Sequence, residues 1–331
     1  MTNAPLRIGV IGLGHLGSLH AKMLSQSRNA VLSALFDTDA TKRETVSTQL
    51  GAPAVDSIDA LFDAVDAVSI ATPTTTHFEI ASRAIERGLH VFIEKPVTKT
   101  VEEARALNSL AAQHGRLIQV GHIERFNPAI VALDNHALAP LFVESHRLAQ
   151  FNPRGTDVAV VLDLMIHDID IILSLVKSEV TDIDASGVAV VSGSADIANA
   201  RLKFANGCVA NITASRISQS RMRKMRLFQR DAYISIDFLQ GTSDVFRLVD
   251  ADAAGVVPTP MLGQIEQGSV KRTIIFEQPP APANHNPLAY ELQLFVDAAL
   301  GGAPPVVDGL AGQQALEVAE RIVAMIGDAR P

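Results

Sequence analysis

The feature that most constrains this chain is a glycine-rich turn, GLGHLG at residues 12–17, which directly follows the short apolar run Leu6–Ile11. A buried strand that leads through GxGxxG into a helix is typical of a doubly wound, parallel α/β sheet that binds a dinucleotide. The first glycine allows a tight turn, the second lets the backbone approach a pyrophosphate, and the third lets the helix pack closely on the strand. We therefore expect phosphate contacts at the start of this helix, from Gly12, Gly14, His15 and Leu16.

An acidic residue ends the next predicted strand. Val31–Phe36 is followed by Asp37, twenty residues after the last glycine of the turn. A carboxylate in this place accepts hydrogen bonds from the adenosine ribose diol and repels a 2′-phosphate, so NAD is predicted rather than NADP. The alternative is that Asp37 only caps a helix or shapes a turn.

Strands and helices alternate through the first third of the chain. Apolar runs predict further strands near Ala54-Val55 and at Ala67–Ala71, His90–Glu94 and Leu117–Gly121. Capping boxes predict that one helix starts at Thr41 with Glu44 and another at Thr100 with Glu103. This alternation predicts an α/β fold, with an NAD-binding Rossmann domain and a parallel sheet over residues 1–124.

Residues that follow the predicted strands are expected at the carboxyl edge of the sheet, where ligands bind. Thr72, Pro73 and His77 follow one strand and are predicted cofactor contacts, although a threonine-rich helix cap would explain the same residues. Glu94 and Lys95 end the next strand and are also predicted cofactor contacts, and Pro96 would make their turn rigid. By itself a Glu-Lys pair is usually a solvated surface pair.

The pattern changes near residue 124. Asn206-Gly207 separates two strand-like runs, which is a strong hairpin signal. Further strand-like runs occur at Met225–Gln229, Tyr233–Phe238, Val245–Val249 and Thr273–Phe276, and helices are predicted at Pro287–Leu300 and Asp308–Ile326. Residues 125–331 are therefore predicted to form an α+β domain with a mainly antiparallel sheet and helices on one side; the family resemblance described below implies that this sheet is large and open, and that the domain serves substrate binding and oligomerisation.

Composition limits the class of protein. Hydrophobic residues make up 47% of the chain and charged residues 19%, which suits well-packed cores. The formal net charge of -8 argues against nucleic acid as a partner. The single Cys208 allows neither an intramolecular disulfide nor a cysteine metal site. With no signal-like start and no apolar run approaching ~18 residues, no membrane association is expected and a cytoplasmic location is predicted.

A second group of polar residues lies in an apolar helical segment. Asp163, His167 and Asp170 are spaced i, i+4 and i+7, so they would share one helix face. Buried carboxylates and imidazoles need a partner or a function, and an imidazole with a pKa near 6.5 suits a base at neutral pH. The alternative is a hydrogen-bonded core histidine. Asp168 would point away from His167, and no second histidine has ligand spacing, so no metal site is predicted.

Taken together, GLGHLG, ATPTTTH, EKP and DLMIHDID resemble the Gfo/Idh/MocA oxidoreductases, named for glucose–fructose oxidoreductase and inositol dehydrogenase. The resemblance implies hydride transfer between a sugar or cyclitol carbon and NAD. It also implies that Lys95, Asp163 and His167 are catalytic and contact the substrate. His167 would remove the hydroxyl proton, Lys95 would stabilise the oxygen, and Asp163 would orient the site. A non-catalytic regulator that binds NAD and sugar is the alternative from another class.

The segment HIERFNP at residues 122–128 resembles a nucleotide-sugar branch of the family. That branch implies oxidation of UDP-N-acetylglucosamine to a 3-keto sugar for lipid A precursor synthesis; a free sugar, inositol or polyol is the alternative. His122 is a predicted cofactor contact, and the predicted substrate contacts are Arg125, Asn127, Arg216 and Arg221. Arginines suit a diphosphate, but the basic run at 216–226 would equally protect a sheet edge, and Asn127-Pro128 would equally form a turn. A homodimer or homotetramer through the open sheet is expected.

Overall fold

A computed structural model describes residues 4–152, 158–250, 260–267 and 270–327, which form two compact units. The first unit contains residues 4–126 and 286–317, and the second contains residues 127–285 and 318–327. The boundary predicted after residue 124 lies next to the first junction. The continuous domain predicted for 125–331 differs from these units, because residues 286–317 group with the first.

The first unit is built on a parallel sheet. Its strands are β1 (Leu6–Ile11), β2 (Ala30–Phe36), β3 (Ala67–Ile70), β4 (His90–Glu94) and β5 (Ile118–Gly121). Within the described residues their order is β2-β1-β3-β4-β5, and every neighbouring pair is parallel. The connecting helices are α1 (His15–Leu24), α2 (Ala40–Leu50), α3 (Ile58–Ala64), α4 (His77–Glu86) and α5 (Val101–His114). The element predicted at Ala54-Val55 is reduced to one bridge between Leu35 and Ala54.

The two predicted capping boxes had different outcomes. At α5 the box is present, since the Glu103 N–H donates to Thr100 Oγ1 at 3.2 Å and Glu103 Oε2 accepts from Thr100 N–H at 3.3 Å. At α2 the prediction was wrong. The cap is Asp39, whose Oδ1 accepts from the N–H groups of Thr41 and Lys42, so the helix begins before Thr41. Aspartate is among the strongest N-cap residues, which explains the earlier start.

The second unit carries a nine-stranded sheet in the part of the chain that the structure describes. Its strands are β6 (Phe142–Leu148), β7 (Val180–Val188), β8 (Ile197–Phe204), β9 (Val209–Ser215), β10 (Met222–Gln229), β11 (Ala232–Asp237), β12 (Thr242–Asp250), β13 (Met261–Gln267) and β14 (Val270–Glu277). Their order is β13-β14-β12-β11-β10-β6-β9-β8-β7. Neighbours are antiparallel except β6 and β9, so the predicted large, mostly antiparallel sheet is confirmed. The hairpin at Asn206-Gly207 joins β8 to β9 as predicted, with Gly207 at φ +85°. Strands β6, β7 and β13 were not predicted.

A helical segment covers part of this second sheet. It begins with a π-helical turn at Val161–Met165 and continues as α7 (Ile166–Val176), which packs on β6 and β9. A short helix, α6 (Pro128–Val131), contacts β11 and β12. The covered side of the central strands is largely apolar, because alternate residues, such as Ala210 and Ile212 of β9, are fully buried.

The helix α8 (Pro287–Ala299) explains why residues near the C-terminus group with the first unit. Its Leu292 and Phe295 are fully buried in one cluster with Ile8 of β1, and the Phe295 ring lies 5.7 Å from that of Phe92. The last helix, α9 (Gly309–Ile326), starts in the first unit and ends in the second. Among the described residues, no helix combines the length and apolarity that a bilayer crossing requires.

Asp196 organises the loop between β7 and β8. Its fully buried carboxylate accepts the N–H groups of Val190, Val191 and Ser192 at 2.7, 2.7 and 3.0 Å, and the Ser192 hydroxyl at 2.7 Å. Burial by itself disfavours the charged form, but these four hydrogen bonds outweigh it and lower the pKa of Asp196 to about 2. The charged carboxylate therefore stabilises the loop.

Asp196→Asn is expected to lower the free energy of unfolding by about 2 kcal/mol at neutral pH. Because the folded pKa lies below the ordinary value of 3.8, the stabilisation is complete above that value and is lost as the pH falls through about 2. Urea unfolding followed by circular dichroism over a series of pH values measures this difference. Asp182→Asn is the control, since its ion pair with Lys203 is exposed. A wild-type advantage that stays constant down to the lowest pH would contradict the assignment.

Candidate cofactor and reaction sites

The glycines of the turn are required by close contacts. Gly12 has φ +89°, and a Cβ there would lie 2.7 Å from the Ala71 carbonyl oxygen. A Cβ on Gly17 would overlap the Gly12 carbonyl oxygen, so α1 packs directly on the turn. A Cβ on Gly14, by contrast, would meet nothing within 4 Å. Two of the glycines are therefore needed by the fold, whereas the third borders open space.

The start of α1 suits a diphosphate. Gly14 is its N-cap and supplies no side-chain hydrogen bond, and the first turn has no acidic residue. His15 and Leu16 are exposed beside it. The first N–H groups of a helix have no partner within the helix and attract anions. Uncapped N–H groups beside a residue without a side chain fit the pyrophosphate of NAD.

Asp37 follows β2 and contacts the same turn. Its Oδ2 accepts the Leu13 N–H at 2.7 Å and its Oδ1 accepts the Asp39 N–H at 2.9 Å. Partial burial raises the pKa of Asp37, but the hydrogen bonds from Asp39 and Leu13 outweigh it, so the pKa lies below its ordinary value. Each oxygen retains a lone pair for a ribose hydroxyl. The ionised carboxylate fits a ribose diol and opposes a 2′-phosphate.

The loop after β3 contains the predicted contacts Thr72, Pro73 and His77. Thr72 and Pro73 are partly exposed, and the Thr76 hydroxyl donates to Thr72 Oγ1 at 2.8 Å. His77 is only 1% exposed, and its Nδ1 and Nε2 each lie 2.9 Å from a carbonyl oxygen, of Pro96 and Thr72 respectively. Burial lowers the pKa of His77, although the carbonyl contacts act against this shift. Since both ring nitrogens face protein carbonyls, the prediction of direct cofactor contact is corrected for His77.

The turn after β4 presents Lys95. The Glu94 side chain is 12% exposed, its Oε1 lies 3.0 Å from His20 Nε2, and its Oε2 accepts the Lys95 N–H at 3.3 Å. Lys95 is partly exposed, and the Lys95–Pro96 peptide bond is cis. The Glu94 carboxylate thus supports the turn, and its contact with the cofactor stays a prediction.

The segment 122–128 lies at the end of the first unit and the start of the second. His122 is 1% exposed in the interior of the first unit, and Arg125 is half-buried in the short 3₁₀ helix Ile123–Phe126. Asn127 is 8% exposed; its Oδ1 caps α6 through the Ala129 N–H, and its Nδ2 donates to the Phe238 carbonyl. The prediction of Asn127 as a substrate contact is therefore corrected to a helix cap.

Asp163 and His167 lie on the helical segment of the second unit. Asp163 is inside the π-helical turn, and His167 is the second residue of α7; both are half-buried, while Asp170 is only 1% exposed. The three residues therefore differ in accessibility, although their spacing predicted one face. π-Helical turns often occur at functional sites. Asp163 and His167 are the accessible polar pair of this segment.

A buried ion pair fixes this helix on the sheet. Arg147 of β6 is 2% exposed and binds Asp168 with two hydrogen bonds, Nε to Oδ2 at 3.0 Å and Nη2 to Oδ1 at 2.8 Å. A bidentate pair of this kind fixes orientation as well as position. Because Asp168 is adjacent to His167, the pair also fixes the backbone that carries His167 relative to the sheet. Arg147 was not found from the sequence, since nothing local distinguishes a buried arginine from a surface one.

The basic run does not form one surface. Arg216 is 5% exposed, donates to the Val158 carbonyl and lies 3.8 Å from Asp196, so the prediction that it binds substrate is corrected. Arg226 is paired with Glu144 at 3.0 Å and Lys224 with Asp237 at 3.2 Å. Arg221, directly before β10, is exposed. Within the described residues, no group of three or more acidic, histidine or cysteine side chains could hold a metal ion.

Fold and site define a dinucleotide-dependent oxidoreductase, and comparison with protein families agrees. A model described as an oxidoreductase family with an NAD-binding Rossmann fold matches residues 6–122, and a model of the GFO/IDH/MocA C-terminal domain matches residues 119–235. The chain therefore belongs to the Gfo/Idh/MocA family, and its first unit is an NAD-binding Rossmann domain.

Individual relatives differ in how much of the chain they match. The UDP-N-acetylglucosamine 3-dehydrogenase of Acidithiobacillus ferrooxidans is 39% identical over 318 residues, 96% of each chain. A solved structure of that enzyme matches with a TM-score of 0.86 at 37% identity, covering 97% of this chain and 98% of the other. The scyllo-inositol 2-dehydrogenase (NAD(+)) of Bacillus subtilis is 32% identical over 232 residues, 64% of this chain and 68% of its own. Similarity to the nucleotide-sugar enzyme extends over nearly the whole chain.

Gly14→Ala and Gly17→Ala are expected to act differently. Alanine at 14 fills open space and should leave the melting temperature unchanged, but its methyl group takes the space for the pyrophosphate and should weaken NAD binding about tenfold or more. Alanine at 17 overlaps the Gly12 carbonyl and should destabilise the fold. Thermal unfolding and NAD titration of both variants check this. Unchanged NAD affinity in Gly14→Ala would argue against this anion site.

Proposed function

We propose that this protein oxidises a secondary hydroxyl of a nucleotide sugar with NAD, and that the substrate is UDP-N-acetylglucosamine, converted to its 3-keto form. The observation that carries the proposal is the extent of the similarity. It covers 96% of both chains for the relative with this activity, but 64% of this chain for the inositol enzyme. Sequence identity of 39% that extends through the second unit favours the same class of substrate.

The proposed reaction uses three side chains, Lys95 of the first unit and Asp163 and His167 of the second. The half-buried His167 imidazole takes the proton from the sugar hydroxyl as a general base. The Lys95 ammonium donates a hydrogen bond to the same oxygen and stabilises its developing negative charge. Asp163, half-buried on the same helical segment, orients the substrate or a neighbouring hydroxyl. When bound, NAD supplies the hydride acceptor.

Arginines are proposed for the diphosphate of the substrate. A guanidinium group can bind two phosphate oxygens at once, so Arg125 and the exposed Arg221 remain the candidates after Arg216 is removed.

Gly12, His15 and Thr72 remain candidate NAD contacts together with Gly14, Leu16, Asp37 and Pro73, and the interior His122 also remains one. A cytoplasmic location is proposed because the single Cys208 allows no intramolecular disulfide.

An NADH absorbance assay with UDP-N-acetylglucosamine, UDP-glucose, UDP-N-acetylgalactosamine, myo-inositol and glucose tests the function. A carbonyl trap removes the ketone, which would otherwise stop the reaction early. We expect turnover with UDP-N-acetylglucosamine, and a fall of about 10²- to 10⁴-fold in kcat for His167→Asn but none for the exposed His114→Asn. Turnover with inositol or glucose alone would contradict UDP-N-acetylglucosamine as the substrate and favour a free sugar or cyclitol. If NAD binds but no sugar is turned over, the alternative of a non-catalytic regulator that binds NAD and sugar would be favoured.

We also propose that two copies associate through the accessible face of the second sheet. One row of directly paired rings crosses it, with neighbouring centroids 5.0 to 5.8 Å apart: Phe142, Phe228, Tyr233, Phe246 and Phe276. The paired charges of Arg226 and Glu144 lie beside this aromatic row. Large accessible apolar patches mark interfaces. A surface that carries both signs of charge can complement itself in a twofold dimer.

Tyr233→Glu combined with Phe246→Glu is expected to release monomers, because like charges would face each other within an apolar contact. Sedimentation velocity measures the mass. Val31→Glu is the matched control, since Val31 is 47% exposed on the first unit and outside the aromatic row. An oligomer that survives the double substitution would require another interface.

A further inference from the structure

Two buried histidines contact the residues on either side of Lys95. His20 of α1 lies against Glu94, and His77 of α4 lies against Pro96. His20 comes from α1 and His77 from α4, so the two histidines reach the turn after β4 from different helices. Neither histidine is used by the proposed reaction, and both are at most 1% exposed.

His20 is linked to two strands. Its Nδ1 lies 2.8 Å from Ser69 Oγ of β3, and its Nε2 lies 3.0 Å from Glu94 Oε1 of β4. Its ring meets Phe92 edge-on, with centroids 5.4 Å apart at 78°. The Ser69 hydroxyl and Nδ1 are within hydrogen-bond distance, whereas Nε2 is at ion-pair distance from Glu94 without the geometry of a hydrogen bond. Ser, His and Glu in a row are also found in hydrolases, but Ser69 is fully buried and cannot meet a substrate.

Glu94 has little room to move. A Cβ on Gly121 of β5 would lie 2.7 Å from Glu94 Oε1, so the carboxylate packs directly on a residue without a side chain. The second oxygen accepts the backbone N–H of Lys95 at 3.3 Å. The position of His20 is thereby transmitted through one carboxylate to the backbone of the lysine.

His77 holds the other side of the turn. Its Nδ1 lies 2.9 Å from the Pro96 carbonyl oxygen, and its Nε2 lies 2.9 Å from the Thr72 carbonyl oxygen. It therefore ties the turn after β4 to the loop after β3, which carries the candidate cofactor contacts Thr72 and Pro73.

We propose that His20 and His77 are positioning residues that hold Lys95 in place, His20 through Glu94 and His77 through Pro96. The proposal rests on the proposed function in taking Lys95 as the group that contacts the sugar oxygen. A lysine side chain has several rotatable bonds, so its reach depends on where its backbone is fixed. Displacement of a reacting group by 1 Å can lower the rate about 10²-fold.

Steady-state kinetics of four variants test this support of Lys95 by His20 and His77, which we call the brace. His20→Leu and His77→Leu are expected to lower kcat about 10- to 100-fold while changing either KM less than about threefold. His20→Gln places an amide donor near Glu94 and should recover most of the loss. His90→Leu is the control, because His90 lies at the opposite end of β4 and accepts the Leu117 N–H. A fall in kcat no larger than that of His90→Leu at matched melting temperature would overturn the proposal.

A second measurement needs no substrate and still applies if the leucine variants are poorly stable. An amine-selective reagent labels Lys95 and the exposed Lys99, and mass spectrometry of one peptide gives the ratio of the two rates. Glu94→Gln, which keeps the size of the side chain but removes its charge, is expected to change this ratio about threefold or more, whereas His20→Gln and His90→Leu are expected to leave it nearly unchanged. A changed ratio without turnover on any sugar would keep the brace and reject the proposed function. An unchanged ratio in an active enzyme would reject the brace alone.

Discussion

The first unit depends on the contact between the glycine turn and the helix that follows it. Gly17 lies so close to the Gly12 carbonyl that no side chain fits between them, so α1 rests directly on the end of β1. That contact keeps the uncapped N–H groups of α1 at the ligand edge of the sheet. It also brings His20, about one turn further on, within reach of Ser69 and Glu94. The cofactor site and the support of Lys95 therefore share one structural cause.

The second unit uses a buried ion pair for a similar purpose. Removing Arg147 and Asp168 from water costs free energy that their attraction only partly returns, so such pairs are weak evidence for stability. Their value lies in direction, because a bidentate pair permits one relative orientation of strand and helix. Apolar packing between α7 and the sheet would tolerate a rotation of the helix. The ion pair opposes such a rotation, and it thereby fixes the backbone at the adjacent His167.

Most features with short-range causes were predictable from the sequence, although the capping box expected at Thr41 was wrong because Asp39 caps that helix. The glycine turn, the Thr100 capping box and the Asn206-Gly207 hairpin each depend on a few neighbouring residues, and all are present. Roles set by distant partners were not predictable. His77 and Arg216 were assigned to ligands, but each is buried against groups far away in the chain, such as Pro96 and Val158. The strand β6 was missed because the buried side of its pattern includes Arg147, whose partner Asp168 lies 21 residues away.

The carboxylates named above fall into two sets, those that bind protein groups and those that remain accessible. Glu94, Asp168 and Asp196 are largely or fully buried and directed at protein groups, so a sugar in the site does not alter what they bind. Asp163 is half-buried on the helical segment that also carries His167. Under the proposed function, the buried carboxylates that support Lys95 and His167 are separate from the accessible residues proposed to contact the sugar. A change of substrate class can then be made at accessible positions such as Arg221, while the buried supports stay in place. This separation accounts for relatives that share much of the chain and are named for nucleotide sugars or for inositols.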